Sequence, residues 1–130
     1  MKRLLIIITI LLLVLSGCSG SGQPAGSDTY EQISMEEAIT LMESETDYII
    51  LDVRTQEEYD EGHIPGAICI PNETIGDQPP ALLPDKDQLI LVYCRSGNRS
   101  KQASAKLAAL GYTNIKEFGG IIDWTGEIEK

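Results

Sequence analysis

The sequence predicts an α/β domain with a mainly parallel central sheet flanked by helices. Three observations predict it. Residues 48–53 (Tyr-Ile-Ile-Leu-Asp-Val) and 89–93 (Leu-Ile-Leu-Val-Tyr) are apolar almost throughout and rich in β-branched residues, as strands covered on both faces are. Stretches with helix-capping signals lie between the strands. Strands that alternate with helices are joined by crossovers and run parallel.

Taken in order, Ser34 opens the first helix over residues 34–42, with Glu37 three positions later as the other half of a capping box. The first buried strand, 48–53, follows. Thr55-Gln56-Glu57-Glu58-Tyr59 begins a short helix with a second capping pattern. Residues 67–70 form a short strand closed by Pro71, and residues 72–87 hold three prolines and read as loop. The second buried strand spans 89–93. A helix runs from Ser100 to Leu110, with Ala103, Leu107 and Leu110 on one stripe, and Gly111 ends it. Residues 115–118 are a last strand and 121–124 a final helical turn, with Trp124 expected in the core.

The chain has 130 residues, enough for one domain and too few for two. Its formal net charge is −10, and residues 1–17 hold Lys2 and Arg3 but no acid, so the remainder carries −12. So acidic a domain lacks the clustered cations that bind nucleic acid, and it keeps clear of anionic headgroups unless tethered. Three cysteines in this spacing make neither a disulfide scaffold nor a zinc site. No metal or organic cofactor is expected.

Residues 1–17 read as an export signal. Lys2 and Arg3 precede an apolar run over 4–15, interrupted only by Thr9. The run is shorter than the roughly 20 residues a spanning helix needs. Leu15-Ser16-Gly17-Cys18 resembles a bacterial lipobox, which implies that Cys18 is lipidated and becomes the first residue of the mature protein. Residues 18–27, mostly Ser and Gly, form a flexible tether, and residues 28–130 form the folded domain. The expected location is the extracytoplasmic face of the cell membrane, held by the lipid alone, and the expected state is a monomer.

Cys94 ends the most apolar strand. Arg95-Ser96-Gly97-Asn98-Arg99 follows, and Ser100 opens a helix. Strand, tight polar loop and helix N-terminus together bind anions: loop N–H groups converge and the helix dipole adds partial positive charge. Gly97 permits a backbone that a side chain would forbid, and Arg95 and Arg99 add full charges. This setting favours thiolate, the nucleophilic form of cysteine, at the carboxyl end of a strand where α/β sheets bind ligands. A buried cysteine with a purely packing role would need no such loop.

Several separated motifs resemble those of the rhodanese-like family. Leu51-Asp52-Val53-Arg54, Glu57-Glu58-Tyr59 and residues 62–67 (Gly-His-Ile-Pro-Gly-Ala) look like its N-terminal signature. Residues 93–100 (Tyr-Cys-Arg-Ser-Gly-Asn-Arg-Ser) look like its active-site loop, and Gly111-Tyr112 with residues 119–124 like its C-terminal signature. The resemblance covers nearly all of residues 30–130. It implies that the loop from Cys94 to Arg99, with Ser100 beside it, cradles a persulfide on Cys94. A small sulfur anion such as thiosulfate would be the donor, and cyanide, a thiol or a protein the acceptor. It further implies that Asp52 and Arg54 brace the active-site region; their residue types also read as an ordinary structural ion pair, in preference to direct contact with substrate. Arg99 either contacts substrate or points outward to pair with an acid such as Asp52.

His63 is the sole histidine. It lies inside a turn motif, where packing is expected rather than the base role a cysteine protease requires. Cys69, on a short apolar strand, reads as a core residue; the resemblance puts its strand at the sheet edge, away from Cys94. Two rival functions remain. A rhodanese-fold phosphatase would have a Cys-x5-Arg loop, one residue longer than the loop from Cys94 to Arg99. A low-turnover sulfur- or protein-binding module is less expected where the cysteine is retained.

Overall fold

Among residues 29–130, five strands form a single sheet whose parity sends Cys94 to one face and Tyr93 to the other. In the computed structural model, residues 29–130 are described; the proposed signal peptide, Cys18 and the tether lie outside them. The elements are β1 (Glu31–Gln32), α1 (Met35–Ser44), β2 (Tyr48–Asp52), α2 (Gln56–Glu61), β3 (Ile68–Cys69), β4 (Leu89–Cys94), α3 (Asn98–Ala109) and β5 (Ile115–Gly120). Short 3₁₀ turns occupy Asn72–Thr74 and Ile121–Asp123. Strand order is β1-β5-β4-β2-β3, and every strand pair is parallel.

β4 sits at the centre and is buried on both faces, which explains its unbroken apolar run. Ile90, Val92 and Cys94 point into one core layer with Leu51 and Val53, covered by Ala103, Leu107 and Ala108 of α3. Leu91 and Tyr93 point into the other layer, with Ile50, Ile64, Phe118 and Ala38 of α1. Alternating side chains therefore place Cys94 beneath the start of α3.

Both capping boxes form. Ser34 and Glu37 exchange side-chain-to-backbone hydrogen bonds at the start of α1, and Thr55 and Glu58 do so at α2. α3 begins at Asn98, two residues before the predicted Ser100, because left-handed Gly97 (φ 110°) turns the chain directly into the helix. β5 extends to Gly120, beyond the predicted residue 118. The two-residue strand β1 is polar and exposed, so no periodicity marks it. Trp124 is only half-buried: it packs against the α1-side layer while its indole N–H donates to Glu127 O, 2.9 Å away.

β3 lies at the sheet edge, with β2 between it and β4. Cys69 and Cys94 are both free thiols. The chain end is fastened by a paired backbone bridge between His63 and Glu129, both bonds 2.9 Å long. Among the described residues no helix is long and apolar enough to cross a membrane.

Candidate active site

The site lies where β2 and β4 end. Cys94 is 1% exposed, and its sulfur sits inside the turn formed by residues 95–97. Left-handed Gly97 aims its N–H at Cys94 Sγ, 3.0 Å away. Ser100 Oγ lies 3.5 Å from the same sulfur. Burial pushes the Cys94 thiol up, but the Ser100 hydroxyl and the N–H groups of Ser100, Gly97 and Ser96 outweigh it, leaving the thiol below its usual range. The loop donors do most to prepare the sulfur as an anion, and the Arg99 charge interacts favourably with it.

The turn is pressed against β5. A Cβ on Gly120 would lie 2.0 Å from Arg95 O, so only glycine lets the loop pass there. Ile122 N–H holds the loop from the other side, donating to Arg95 O at 3.3 Å. A register shift between Val92 and Cys94 accompanies this close approach.

Of the six residues after Cys94 that the sequence singled out, Arg95, Ser96 and Asn98 are exposed on the rim, while Gly97 and Ser100 are buried beside the sulfur. Arg99 turns outward and pairs with Glu58 through both carboxylate oxygens, at 2.7 and 3.0 Å. Of the two readings the sequence left open, the structure shows the outward one, with Glu58 as the acid in place of Asp52, whose carboxylate is occupied by Arg54 and Tyr93. The Arg99 hydrogen bond lowers the Glu58 carboxyl to about 2. Of the two loop arginines, Arg95 alone has no side-chain partner among the described residues.

Asp52 is fully buried. Its carboxylate accepts from the Arg54 backbone N–H (2.9 Å), Arg54 Nε (3.0 Å), Arg54 Nη2 (2.6 Å) and the Tyr93 hydroxyl (2.7 Å). Arg54 Nη2 also donates to Gly62 O at 2.7 Å, and Tyr93 Oη accepts from Ile64 N–H at 3.1 Å. This network ties the ends of β2 and β4 to the turn at residues 62–64. It lies on the face opposite Cys94, so Asp52 and Arg54 make no contact with the sulfur.

His63 stacks on Tyr59, ring centroids 3.7 Å apart, and its ring nitrogens reach Tyr59 O and the Glu129 carboxylate. Its contacts are those of packing. Cys69 donates to Arg54 O at 3.7 Å, and its thiol is pushed up to about 11 by burial and by the Asp52 charge. The two cysteines thus shift in opposite directions.

Two participants escaped the sequence reading. Glu58 was visible as a capping residue and within the N-terminal signature, but not as the partner of Arg99. Glu117, 3% exposed, accepts from Ser100 Oγ at 2.6 Å and from Gly119 N–H at 2.9 Å. The available signal was parity: on β5, Glu117 shares the inward face with Ile115.

Residues 34–127 match the rhodanese-like domain family. The chain is 38% identical over 73 residues to thiosulfate sulfurtransferase PspE of Escherichia coli, covering 56% of this chain and 70% of that protein. It is 36% identical over 91 residues to the tRNA uridine(34) hydroxylase of Erwinia tasmaniensis, covering 66% of this chain and 26% of that longer protein. Among solved structures, an E. coli rhodanese with anions superposes with a TM-score of 0.58 at 35% identity, over 64% of this chain and 98% of that one. A rhodanese-like domain protein of Staphylococcus aureus superposes with a TM-score of 0.66 at 31% identity, over 77% and 97%. With the parallel sheet and the Cys94 loop, these matches establish that the chain belongs to the rhodanese-like domain family.

Proposed function

We propose that the protein is a sulfurtransferase, tethered by lipid on Cys18 to the extracytoplasmic face of the cell membrane, that moves sulfane sulfur through a persulfide on Cys94. The observation that carries this reading is the Gly97 N–H 3.0 Å from Cys94 Sγ, joined by the N–H groups of Ser96 and Ser100. Cys94 thiolate attacks the outer sulfur of a small anionic donor such as thiosulfate; a new S–S bond forms and sulfite leaves with the electron pair. Cyanide, a thiol or a protein thiol then attacks the outer sulfur, and Cys94 leaves as thiolate. Loop N–H groups stabilise the sulfur anion before and after transfer, as an oxyanion hole does for oxygen. Arg95 and the rim residues Ser96 and Asn98 receive the donor, and the Asp52–Arg54 pair braces the strand ends. Similarity to a thiosulfate sulfurtransferase supports thiosulfate as a donor.

A thiosulfate:cyanide assay tests the reading. Cys94→Ser loses turnover, whereas Cys69→Ser keeps most of it, because Cys69 has no converging N–H donors and its thiol is pushed upward. Wild-type turnover in Cys94→Ser would overturn the proposal.

A further inference from the structure

We infer that Glu117 is a positioning residue for Cys94: acting through the Ser100 hydroxyl, it takes up the thiol proton inside the protein, so the thiolate forms without adding a second buried charge. The inference rests on Cys94 being the nucleophile and adds the group that prepares it.

Glu117 is a buried carboxylate with no cation on it among the described residues. The charges on the elements packed against it are engaged elsewhere. Lys116 of β5 pairs with Glu31 beside β1's Gln32, and Arg99 of α3 pairs with Glu58. Lys106 of α3 reaches Asn72, Lys101 of α3 and Arg95 of the adjoining loop are exposed at the surface, and β4 carries no charged residue. A buried carboxylate without a counter-ion is costly. Here its oxygen Oε1 is instead joined to the hydroxyl that touches Cys94.

Ser100 Oγ has one hydrogen and several neighbours: Glu117 Oε1 at 2.6 Å, Gly97 O at 2.9 Å, Gly119 O at 3.3 Å and Cys94 Sγ at 3.5 Å. The carboxylate is the nearest and the only charged acceptor, so the hydroxyl donates to it. The oxygen lone pairs are then free to accept the Cys94 S–H. In the transfer, the S–H bond breaks as an O–H bond forms at Ser100, and the original Ser100 hydrogen passes to Glu117 Oε1. The site holds one negative charge before and after. That charge moves from Oε1 to Sγ, where the loop N–H groups receive it. Nothing is oxidised or reduced. Cys94 and Glu117 therefore share one proton through Ser100.

The test is the rate at which iodoacetamide alkylates Cys94 in the full chain, read on the Cys94 peptide by mass spectrometry from about pH 5 to about pH 10. Alkylation needs no sulfur transfer, so it stands apart from any failure of the sulfurtransferase reading. Wild type is expected to show a flat shoulder on the acid side of the thiol midpoint, because the population of the thiolate–carboxylic acid tautomer stays constant while the pair shares one proton. Glu117→Gln keeps an acceptor oxygen for Ser100 but cannot take the proton. Its shoulder vanishes, and the rate falls about tenfold per pH unit below the thiol midpoint. Ser100→Ala breaks the relay with Glu117 in place and loses the shoulder too, which carries the test should Glu117→Gln not fold. A wild-type profile without a shoulder, a shoulder that survives in a folded variant, or a profile merely displaced along the pH axis would overturn the inference.

Discussion

Glu58 holds Arg99 through both carboxylate oxygens, so the last residue of the six-residue loop is anchored to α2 and its charge is met outside the sulfur pocket. Glu58 also closes the Thr55 capping box. One side chain thus joins the start of α2 to the start of α3.

The pair makes stability depend on acid. The Glu58 carboxyl is lowered from 4.5 to about 2 in the folded state, chiefly by Arg99. A depressed carboxyl contributes its stability above the unfolded value and loses it as pH falls toward the folded one. Both side chains are more than a quarter exposed (27% and 29%), so screening holds the contribution to about 1 kcal/mol. Thermal melts of Glu58→Gln, which preserves the capping box, are expected to decline less between about pH 5 and pH 2 than wild-type melts. Parallel declines would show the pair to be energetically silent.

Gly120→Ala places a Cβ 2.0 Å from Arg95 O. The obstruction is backbone, so the loop or β5 must shift. A stability loss of about 3 kcal/mol is expected in denaturant titration, together with a loss of sulfur transfer larger than global unfolding accounts for. A variant with wild-type midpoint and turnover would contradict the close approach.

Ser104 is fully buried on α3, and its hydroxyl has no hydrogen-bond partner among the described residues. Ser104→Ala removes an unsatisfied polar atom and improves helix propensity. Stabilisation of about 1 kcal/mol is expected, a rise in Tm of about 5 °C for a domain of this size. A lowered Tm would mean that the hydroxyl is satisfied in solution.

Cys18 follows a lipobox-like Leu15-Ser16-Gly17. The protein is expected to fractionate with membranes, and globomycin is expected to leave a precursor that retains residues 1–17. Normal processing with full release into the medium would remove the anchor from the account.

The central features were legible because they are local. An unbroken apolar strand ending at Cys94, a glycine three residues on and a helix behind it define the sulfur cradle in sequence order alone. Both capping boxes were legible for the same reason. What could not be read were partners brought together by folding. Arg99 could choose among many acids, and only the fold, which brings the start of α2 within reach of the start of α3, selects Glu58, 41 positions away. Glu117 sits on a strand whose parity was visible, but the Ser100 hydroxyl opposite it was not. The polar edge strand β1 has no pattern of its own and exists through pairing with β5.

The most direct test of the account is the mass of the protein after incubation with thiosulfate. One added sulfur, a gain of about 32 Da, is expected on the Cys94 peptide, absent from the Cys69 peptide, and lost on adding cyanide. No gain on Cys94, or an equal gain in a Cys94→Ser variant, would contradict the claim that Cys94 carries the sulfur.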